Sequence, residues 1–229
     1  LVATDKAMSE TKQPIKTFTA DSLPVRIYAS EADMATDVAH TVHDYLVNTL
    51  ATKGEAAAIL ATGNSQIQFL KMLVELGGID WSNMTLFHMD EYLGLDGDHT
   101  ASFRRYMRER VEEKVRPAAF HYICGDAPEP IKECRRYADL LAAQPIDLCC
   151  LGVGENGHIA FNDPPVADLN DSEVVKIVQL DDGCRKQQHG EGHFPTFDSV
   201  PQYALTLTVP ALCQAKKMVC LCPETHKAQ

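Results

Sequence analysis

Two hydrophobic periods, one helical and one strand-like, alternate along this chain. Apolar positions three and four residues apart predict an amphipathic helix over residues 32–52, and a second helix runs from Ile67 to a stop at Gly77. Between them, residues 55–60 form a short apolar run, which is typical of a strand buried on both faces. The pattern therefore predicts a helix, a strand and another helix in the first third of the chain.

Strands and helices continue to alternate through the rest of the chain. Two more helices are predicted over residues 102–115 and 129–143. Short apolar runs predict the remaining strands, at residues 85–88, 122–123, 146–153, 174–180, 204–209 and 218–222. Because strands that alternate with helices usually form a mostly parallel sheet with helices on both faces, we expect an α/β fold.

The domain organisation is predicted to be simple. No Pro/Gly/Ser-rich linker divides the 229 residues, so we expect a single domain over residues 23–229. Residues 1–22 lack apolar periodicity and are expected to form a flexible tail. Within this region, Phe18 and residues 25–28 indicate the start of an edge strand.

Composition and charge narrow the functional classes. Hydrophobic residues make up 45% of the chain and charged residues 23%, which is typical of a globular protein with a full core. The net charge of -11 argues against nucleic acid and against an anionic membrane surface as partners. No apolar stretch approaches the ~20 residues of a membrane span, and no signal-peptide core is visible, so we expect a cytoplasmic protein.

Several of the eight cysteines lie in apolar runs and are expected to be buried free thiols. Cys149 and Cys150 lie in one apolar run and Cys220 and Cys222 in another, where free thiols fit better than disulfides. A zinc site usually needs paired Cys-x-x-Cys or histidine spacings, which the sequence lacks. We therefore expect no metal.

Three of the predicted strands end in polar residues typical of a ligand site. The first end is the turn Thr62-Gly63-Asn64-Ser65, which opens a helix. Free backbone N–H groups and hydroxyls at the positive end of a helix suit a phosphate or carboxylate. A simple helix cap at Thr62 or Ser65 is the alternative interpretation.

The second strand end carries Asp90 and Glu91. Adjacent carboxylates on extended backbone point to opposite sides, so only one of them can face a pocket. An aspartate that acts as a base near neutral pH needs a raised pKa, which burial under Tyr92 and Phe87 would supply. A solvated turn is the alternative interpretation here.

The third strand end is the loop from Gly152 to His158, which includes Gly154, Asn156 and Gly157. Glycines at this density allow close approach of the backbone to a ligand. His158 is a candidate proton shuttle near pH 7, and Asn156 or Asp163 would fix its tautomer by a hydrogen bond to one ring nitrogen. The alternative is a Gly-rich turn with a surface histidine.

At these residues the chain resembles the glucosamine-6-phosphate deaminase/isomerase family. The matching segments, in the family's order and spacing, are Leu60-Ala61-Thr62-Gly63-Asn64-Ser65, Met89-Asp90-Glu91-Tyr92-Leu93-Gly94-Leu95, the run from Gly152 to Pro164 that contains Gly157-His158-Ile159-Ala160-Phe161-Asn162, and Val200-Pro201-Gln202-Tyr203-Ala204-Leu205-Thr206. The resemblance covers the chain from about residue 25 to the end.

The resemblance implies a Rossmann-like fold and an aldose–ketose isomerisation coupled to loss of ammonia, which turns glucosamine 6-phosphate into fructose 6-phosphate without a metal or organic cofactor. It implies that Asp90 is the base that moves a proton from carbon 2 to carbon 1, and that His158 opens the sugar ring. Asn156 and Asp163 match the two partners of that histidine. The residues expected to bind the sugar phosphate are Thr62, Gly63, Asn64, Ser65, Glu91, Gly154, Arg185 and Lys227.

The chain departs from the family pattern at several places, which include Asn156, where the family frequently has aspartate, and the turn Asn64-Ser65-Gln66, where it has Gly-Thr-Pro. Asp163 stands where the family usually has glutamate, and residues 189–191 lack the family's phosphate-binding arginine, so Arg185 is the candidate substitute. The alternatives are a related 6-phosphogluconolactonase and a non-catalytic sugar-phosphate-binding protein. The sequence Ile159-Ala160-Phe161-Asn162 after the histidine argues against the lactonase. The number of subunits is open, with a homo-oligomer among the options.

Overall fold

The computed structural model describes residues 12–223, which contain ten strands and seven α-helices. The strands are β1 (Lys16–Ala20), β2 (Leu23–Ile27), β3 (Ala56–Leu60), β4 (Met84–His88), β5 (Asp90–Tyr92), β6 (Ala119–His121), β7 (Leu148–Gly152), β8 (Val175–Gln179), β9 (Tyr203–Leu207) and β10 (Lys217–Leu221). The helices are α1 (Glu31–Lys53), α2 (Ile67–Leu76), α3 (Phe103–Met107), α4 (Glu113–Val115), α5 (Pro130–Ala142), α6 (Asp182–Gly190) and α7 (Val209–Cys213). A π-helical turn (Arg108–Glu112) joins α3 to α4, and single 3-10 turns lie at Asn64–Gln66, Trp81–Asn83 and Phe197–Ser199.

Five strands form a central parallel sheet in the order β10-β7-β3-β4-β6. From β3 the chain adds β4 and β6 on one side, and it then returns to add β7 and β10 on the other side. The direction of growth therefore reverses between β3 and β7, where a crevice forms at the strand ends. This sheet confirms the predicted α/β class.

Different elements cover the two faces of the central sheet. Ala58 and Leu60 of β3 pack in one cluster with side chains of α1 and α2. Ala57 and Ile59 pack in a second cluster with α5, β8 and β9. Because successive residues of a strand point to opposite faces, this alternation shows that β3 is buried on both sides.

A second sheet is antiparallel and has the order β5-β9-β8. The sequence pattern does not separate these strands from the parallel sheet, because a strand buried on both faces looks similar in either kind of sheet. A single residue, Met89, lies between the end of β4 and the start of β5. The chain therefore passes from one sheet to the other immediately before Asp90.

A hairpin occupies part of the region that the sequence predicted to be a flexible tail. β1 and β2 pair in antiparallel register, with Phe18 opposite Val25, around a turn in which Asp21 has a φ of 51°. The β-branched residues Thr17 and Thr19 favour this strand conformation. Residues 1–11 of the expected tail lie outside the described residues.

All eight cysteines are free thiols, but they are not all buried. Cys149 and Cys150 of β7 are buried, whereas Cys220 and Cys222 are exposed, so the expectation of buried thiols is wrong for the second pair. The reason is that β10 is the outer strand of the described sheet and β7 is an inner one. In residues 12–223, the helices are too short or too polar to cross a membrane.

Candidate functional site

A cleft with about 650 Å³ of empty space, part of it open solvent, lies at the carboxyl ends of the neighbouring strands β7, β3 and β4. It lies where the sheet changes its direction of growth, which is where ligands of open α/β sheets bind. The residues that line it are Ala61, Thr62, Gly63, Asn64, Ser65, Met89, Asp90, Phe103, Gly152, Val153, Gly154, His158, Ala160, Phe161, Gln187, Gln188 and Glu191. The structure thus brings polar residues from all three predicted strand ends to one cavity.

Asp90 is a buried carboxylate in the wall of this cleft. The residue is 6% exposed, and its Oδ1 has no hydrogen-bond partner within the described part of the chain. Burial, and secondly the charge of Glu91, raise the pKa of Asp90 well above its ordinary value. A buried carboxylate with a raised pKa and an unpartnered oxygen, in the wall of a cavity, has the properties of a general base.

Glu91 points away from the cleft and caps α3. Its Oε2 accepts hydrogen bonds from the Ser102 hydroxyl at 2.8 Å and from the Arg104 backbone N–H at 3.0 Å. Its Oε1 accepts from the backbone N–H groups of Phe103 and Tyr92. Burial raises the pKa of Glu91, although these four hydrogen bonds favour the charged form. Glu91 therefore fixes the start of α3, and it does not line the cavity.

Replacing Glu91 with glutamine is expected to lower the free energy of unfolding by about 2 kcal/mol, because an amide NH₂ cannot accept the hydrogen bonds that one carboxylate oxygen accepts. Urea denaturation followed by circular dichroism measures this change. Glu109→Gln is the matched control, since Glu109 forms an exposed pair with Arg105 at 2.7 Å. The control is expected to change the stability by less than about 0.5 kcal/mol. Equal effects of the two changes would contradict the capping role.

His158 lines the cleft, and two side chains hold its ring at Nδ1. Its Nδ1 lies 2.7 Å from Asn156 Oδ1 and 3.1 Å from Asp163 Oδ1. Because both neighbours are acceptors, Nδ1 carries the proton, and the lone pair of the neutral imidazole is on Nε2. Nε2 is therefore the nitrogen that is available to a ligand as a base.

Asp163 reaches the histidine despite its short side chain. Asn156 donates to its Oδ1 at 3.0 Å, and the backbone N–H of Asp181 donates to its Oδ2 at 3.0 Å. Burial acts to raise the pKa of Asp163, but the hydrogen bonds from His158, Asn156 and Asp181 outweigh it and hold the pKa below its ordinary value. Asp163 is thus a stable anion, and Asn156 bridges it to the imidazole.

Gly154 is required by the position of the imidazole. A Cβ atom at this residue would overlap the ring of His158, at a distance that real side chains do not show. The backbone N–H of Gly154 also donates to the carbonyl of His158 at 2.9 Å, which closes the loop. The glycine therefore lets the loop fold back closely over its own histidine.

The loop that carries His158 is attached to β9. The backbone N–H of Phe161 donates to Thr206 Oγ1 at 3.1 Å, and Asn162 Nδ2 donates to the carbonyl of Leu207 at 2.8 Å. Thr206 is also the residue that pairs with Asp90 across β5 and β9. Thr206 is thus a common neighbour of Asp90 and of the loop that carries His158.

The turn Thr62-Gly63-Asn64-Ser65 forms another wall of the cleft. Gly63 has a φ of 97°, which only glycine adopts without strain, and its carbonyl accepts a hydrogen bond from Tyr106 at 2.9 Å. Ser65 Oγ accepts from Gln66 Nε2 at 3.1 Å, so its own hydrogen is available to donate to a ligand. The turn leads into α2, whose N-terminal end carries partial positive charge.

No lysine or arginine lines the cleft within residues 12–223. Arg185 does not reach it, because its guanidinium donates to the carbonyls of Phe197 and Val200 and lies 4.2 Å over the Phe197 ring. Lys227, the other expected cation, lies outside the described residues. The described cleft therefore offers neutral donors to an anion.

The pattern-based prediction missed the residues that α6 contributes. Gln187 and Gln188 line the cleft together with Glu191, at the spacing of one helical face. Gln188 Oε1 accepts from the Tyr92 hydroxyl at 2.6 Å, and Gln187 Oε1 accepts from the backbone N–H of Glu155. The sequence feature that indicates the start of α6 is its N-cap residue, Asp181, whose side chain accepts a hydrogen bond from the Gly183 N–H.

One set of potential metal ligands is present in the described part of the chain, formed by His158, Asp163 and Cys184. His88, which precedes the site, is not available for coordination. It is fully buried, its Nε2 accepts from the Ile123 N–H at 2.8 Å, and burial and then Arg104 lower its pKa to about 3. His88 is thus a neutral core residue.

Comparison with known families identifies this arrangement. The family described as glucosamine-6-phosphate isomerases/6-phosphogluconolactonase matches residues 29–229. The chain belongs to this family. Among members of the family, a glucosamine-6-phosphate deaminase of Exiguobacterium sp. is 30% identical over 198 residues, which are 86% of this chain and 76% of that protein. A glucosamine-6-phosphate deaminase of Shewanella loihica is 32% identical over 200 residues, 84% of this chain and 72% of that protein.

Solved structures of the family agree with the fold. A monomeric glucosamine-6-phosphate deaminase superimposes with a TM-score of 0.76 at 27% identity, covering 83% of this chain and 78% of that one. A 6-phosphogluconolactonase from Shewanella baltica superimposes with a TM-score of 0.66 at 16% identity, covering 84% of this chain and 78% of that one. At this lower identity the likeness to the lactonase shows the fold alone.

Proposed function

We propose that this protein is an aldose–ketose isomerase and deaminase that converts glucosamine 6-phosphate, or a close amino-sugar phosphate, to the ketose phosphate and ammonia. One observation carries the proposal: a buried carboxylate with a raised pKa, Asp90, and an oriented imidazole, His158, line the same cleft. The deaminase relatives, which match most of the chain, support the same activity.

In the first step, His158 opens the sugar ring. Nε2 takes the proton of the anomeric hydroxyl, and the imidazolium returns a proton to the ring oxygen as the carbon–oxygen bond of the ring breaks. Asp163 and Asn156 stabilise the imidazolium through Nδ1. The product of this step is the open-chain aldehyde, which has an acidic hydrogen on carbon 2.

In the second step, Asp90 moves that hydrogen. Its carboxylate takes the proton from carbon 2 and delivers it to carbon 1, while a proton passes from the amino nitrogen to oxygen 1, so that the amino aldehyde becomes a ketimine with a hydroxyl on carbon 1. Water then adds to the ketimine, and ammonia leaves as the ketone forms. The raised pKa of Asp90 suits both directions of this transfer, because the group must accept and then release the same proton.

The phosphate is proposed to bind at the turn from Thr62 to Ser65. Its backbone N–H groups, the Ser65 hydroxyl and the positive end of α2 provide neutral or partly charged donors. The family resemblance adds Lys227, which would supply a full positive charge. We also propose a cytoplasmic location, because a phosphorylated sugar does not cross a membrane unaided.

The test is to measure ammonia release and ketose phosphate formation with a panel of substrates. The panel contains the 6-phosphates of glucosamine, galactosamine, mannosamine and N-acetylglucosamine, unphosphorylated glucosamine, and 6-phosphogluconolactone. We expect the highest kcat/KM with glucosamine 6-phosphate and equal amounts of ammonia and fructose 6-phosphate. Hydrolysis of the lactone without ammonia release would assign the protein to the lactonases. Ligand-induced thermal stabilisation without any product would indicate a binding protein.

A further inference from the structure

Cys184 of α6 lies directly against the histidine and aspartate of the site. It is 1% exposed, and its Sγ lies within 4.8 Å of a ring nitrogen of His158 and of a carboxylate oxygen of Asp163. Burial, and secondly the charge of Asp163, raise the pKa of this thiol. The proposed isomerisation does not use Cys184, so its position next to the proton-transfer groups needs a separate explanation.

One ligand atom from each of His158, Asp163 and Cys184 lies within 4.8 Å of the other two. The three residues are all buried, and Nδ1 of His158 is already 3.1 Å from Asp163 Oδ1. Nitrogen, carboxylate oxygen and thiolate sulfur are the ligands that Zn²⁺ prefers, with ligand atoms about 3 to 4 Å apart around a tetrahedral ion. The set needs only small adjustments to hold such an ion.

A second cavity borders one member of this set, Asp163. It has about 590 Å³ of empty space, and its walls include Asp163, Asp181 and Asp182. Asp182 is partly neutralised by Arg185, whose Nη1 lies 3.6 Å away, but no lysine or arginine in the described part of the chain lines the cavity itself. Carboxylates that line a cavity on one side attract cations to it.

We propose that His158, Asp163 and Cys184 form a binding site for Zn²⁺ that inhibits the enzyme. Zn²⁺ binds through Nδ1, a carboxylate oxygen and Sγ, and the fourth position is left to water. The thiol proton leaves to solvent, and the Nδ1 proton moves to Nε2. His158 then has no lone pair directed at the cleft, so it cannot take a proton from the sugar. The inhibition rests on the proposed function, whereas the binding of the ion does not.

Cobalt is the spectroscopic probe for this site, because Co²⁺ replaces Zn²⁺ and its thiolate complexes absorb in the near ultraviolet. The metal-free full-length protein is titrated with Co²⁺, and one equivalent is expected to produce a thiolate-to-cobalt absorption band. Cys184→Ala is expected to abolish the band. The control variant replaces the exposed cysteines Cys213, Cys220 and Cys222 with alanine, and it is expected to keep the band.

Two outcomes overturn the proposal. One is the absence of a thiolate band in the wild-type protein, and the other is a band that survives in Cys184→Ala and disappears in the control variant. If Cys184→Ala does not fold by circular dichroism, Cys184→Ser replaces it, since serine keeps the shape but cannot give the thiolate band. These measurements need no substrate, so they remain decisive even if the protein releases no ammonia.

Inhibition is measured separately, as ammonia release against Zn²⁺ concentration. The concentration that halves the rate is expected to rise at least tenfold in Cys184→Ala relative to the wild type. An unchanged inhibition in this variant would contradict the inhibitory role of the site. If the Zn²⁺ concentration that halves the rate changes only in the exposed-cysteine variant, the inhibition arises at the surface cysteines instead.

Discussion

Asp90→Asn lowers turnover of glucosamine 6-phosphate by about 10²- to 10⁴-fold, because an amide cannot accept the proton that the carboxylate moves. The same change is expected to leave the thermal stability unchanged or higher, because it removes a buried carboxylate whose charged form is destabilised by its removal from water. Ammonia release and a thermal unfolding scan measure the two effects. The combination separates loss of chemistry from loss of fold.

Ligand binding is the second measurement on Asp90→Asn. Fructose 6-phosphate is expected to stabilise the variant thermally by about as much as it stabilises the wild type, because binding to the cleft does not require the proton transfer. Asp96→Asn is the matched control, since Asp96 lies outside the cleft in the loop after β5. It is expected to keep the wild-type rate. An Asp90→Asn enzyme within tenfold of wild-type turnover would remove the role proposed for Asp90.

Gly154→Ala is expected to lower kcat/KM by about 100-fold or more, because the new methyl group occupies the space of the His158 ring. Either the loop or the imidazole must move, and displacement of a catalytic group by about 1 Å costs on the order of 10² in rate. The histidine itself is unchanged, so the loss reports its position. Kinetics with glucosamine 6-phosphate measure this effect.

Gly190→Ala is the control for the glycine substitution. Gly190 ends α6 and does not have a positive φ, and a methyl group added there would extend into open space. Its replacement is expected to keep kcat/KM within about twofold of the wild type, as most surface changes do. Equal losses of kcat/KM in Gly154→Ala and Gly190→Ala would show that the close packing of Gly154 against His158 is not the cause of the lost activity.

Most strands of the parallel sheet were predictable from the sequence as apolar runs, but β6 lies at Ala119–His121 and not at the predicted residues 122–123. Residues 55–60 and 146–153 are such runs, and β3 and β7 lie within them. The polar residues that end these runs were likewise visible, since a change from apolar to polar residues marks the point where a buried strand ends. The cleft-lining residues Thr62, Asp90 and His158 follow from that simple rule.

The helix α6 was not predictable from apolar periodicity. Its buried residues are Cys184, Arg185 and Gln188, two of which are polar and make tertiary hydrogen bonds. Hydrophobic periodicity does not detect a helix whose buried face is polar. The contribution of Gln187 to the cleft was missed for this reason.

Other features depend on contacts between distant parts of the chain. β5 has only three residues, and its assignment as a strand rests on pairing with β9, more than a hundred residues later. The contact of Cys184 with Asp163 likewise arises only when α6 packs behind the histidine loop. Local sequence carries no signal for such contacts, so the second sheet and the potential metal site appear only in the structure.

The shared position of Thr206 has an evolutionary consequence. Its backbone aligns with Asp90, and its hydroxyl receives the N–H of Phe161, three residues after His158. A one-residue insertion or deletion in β9 would turn its side chains to the opposite face and displace both reactive groups together. Length variation in homologous sequences should therefore spare β9 and accumulate in segments such as residues 164–174, which join the histidine loop to β8.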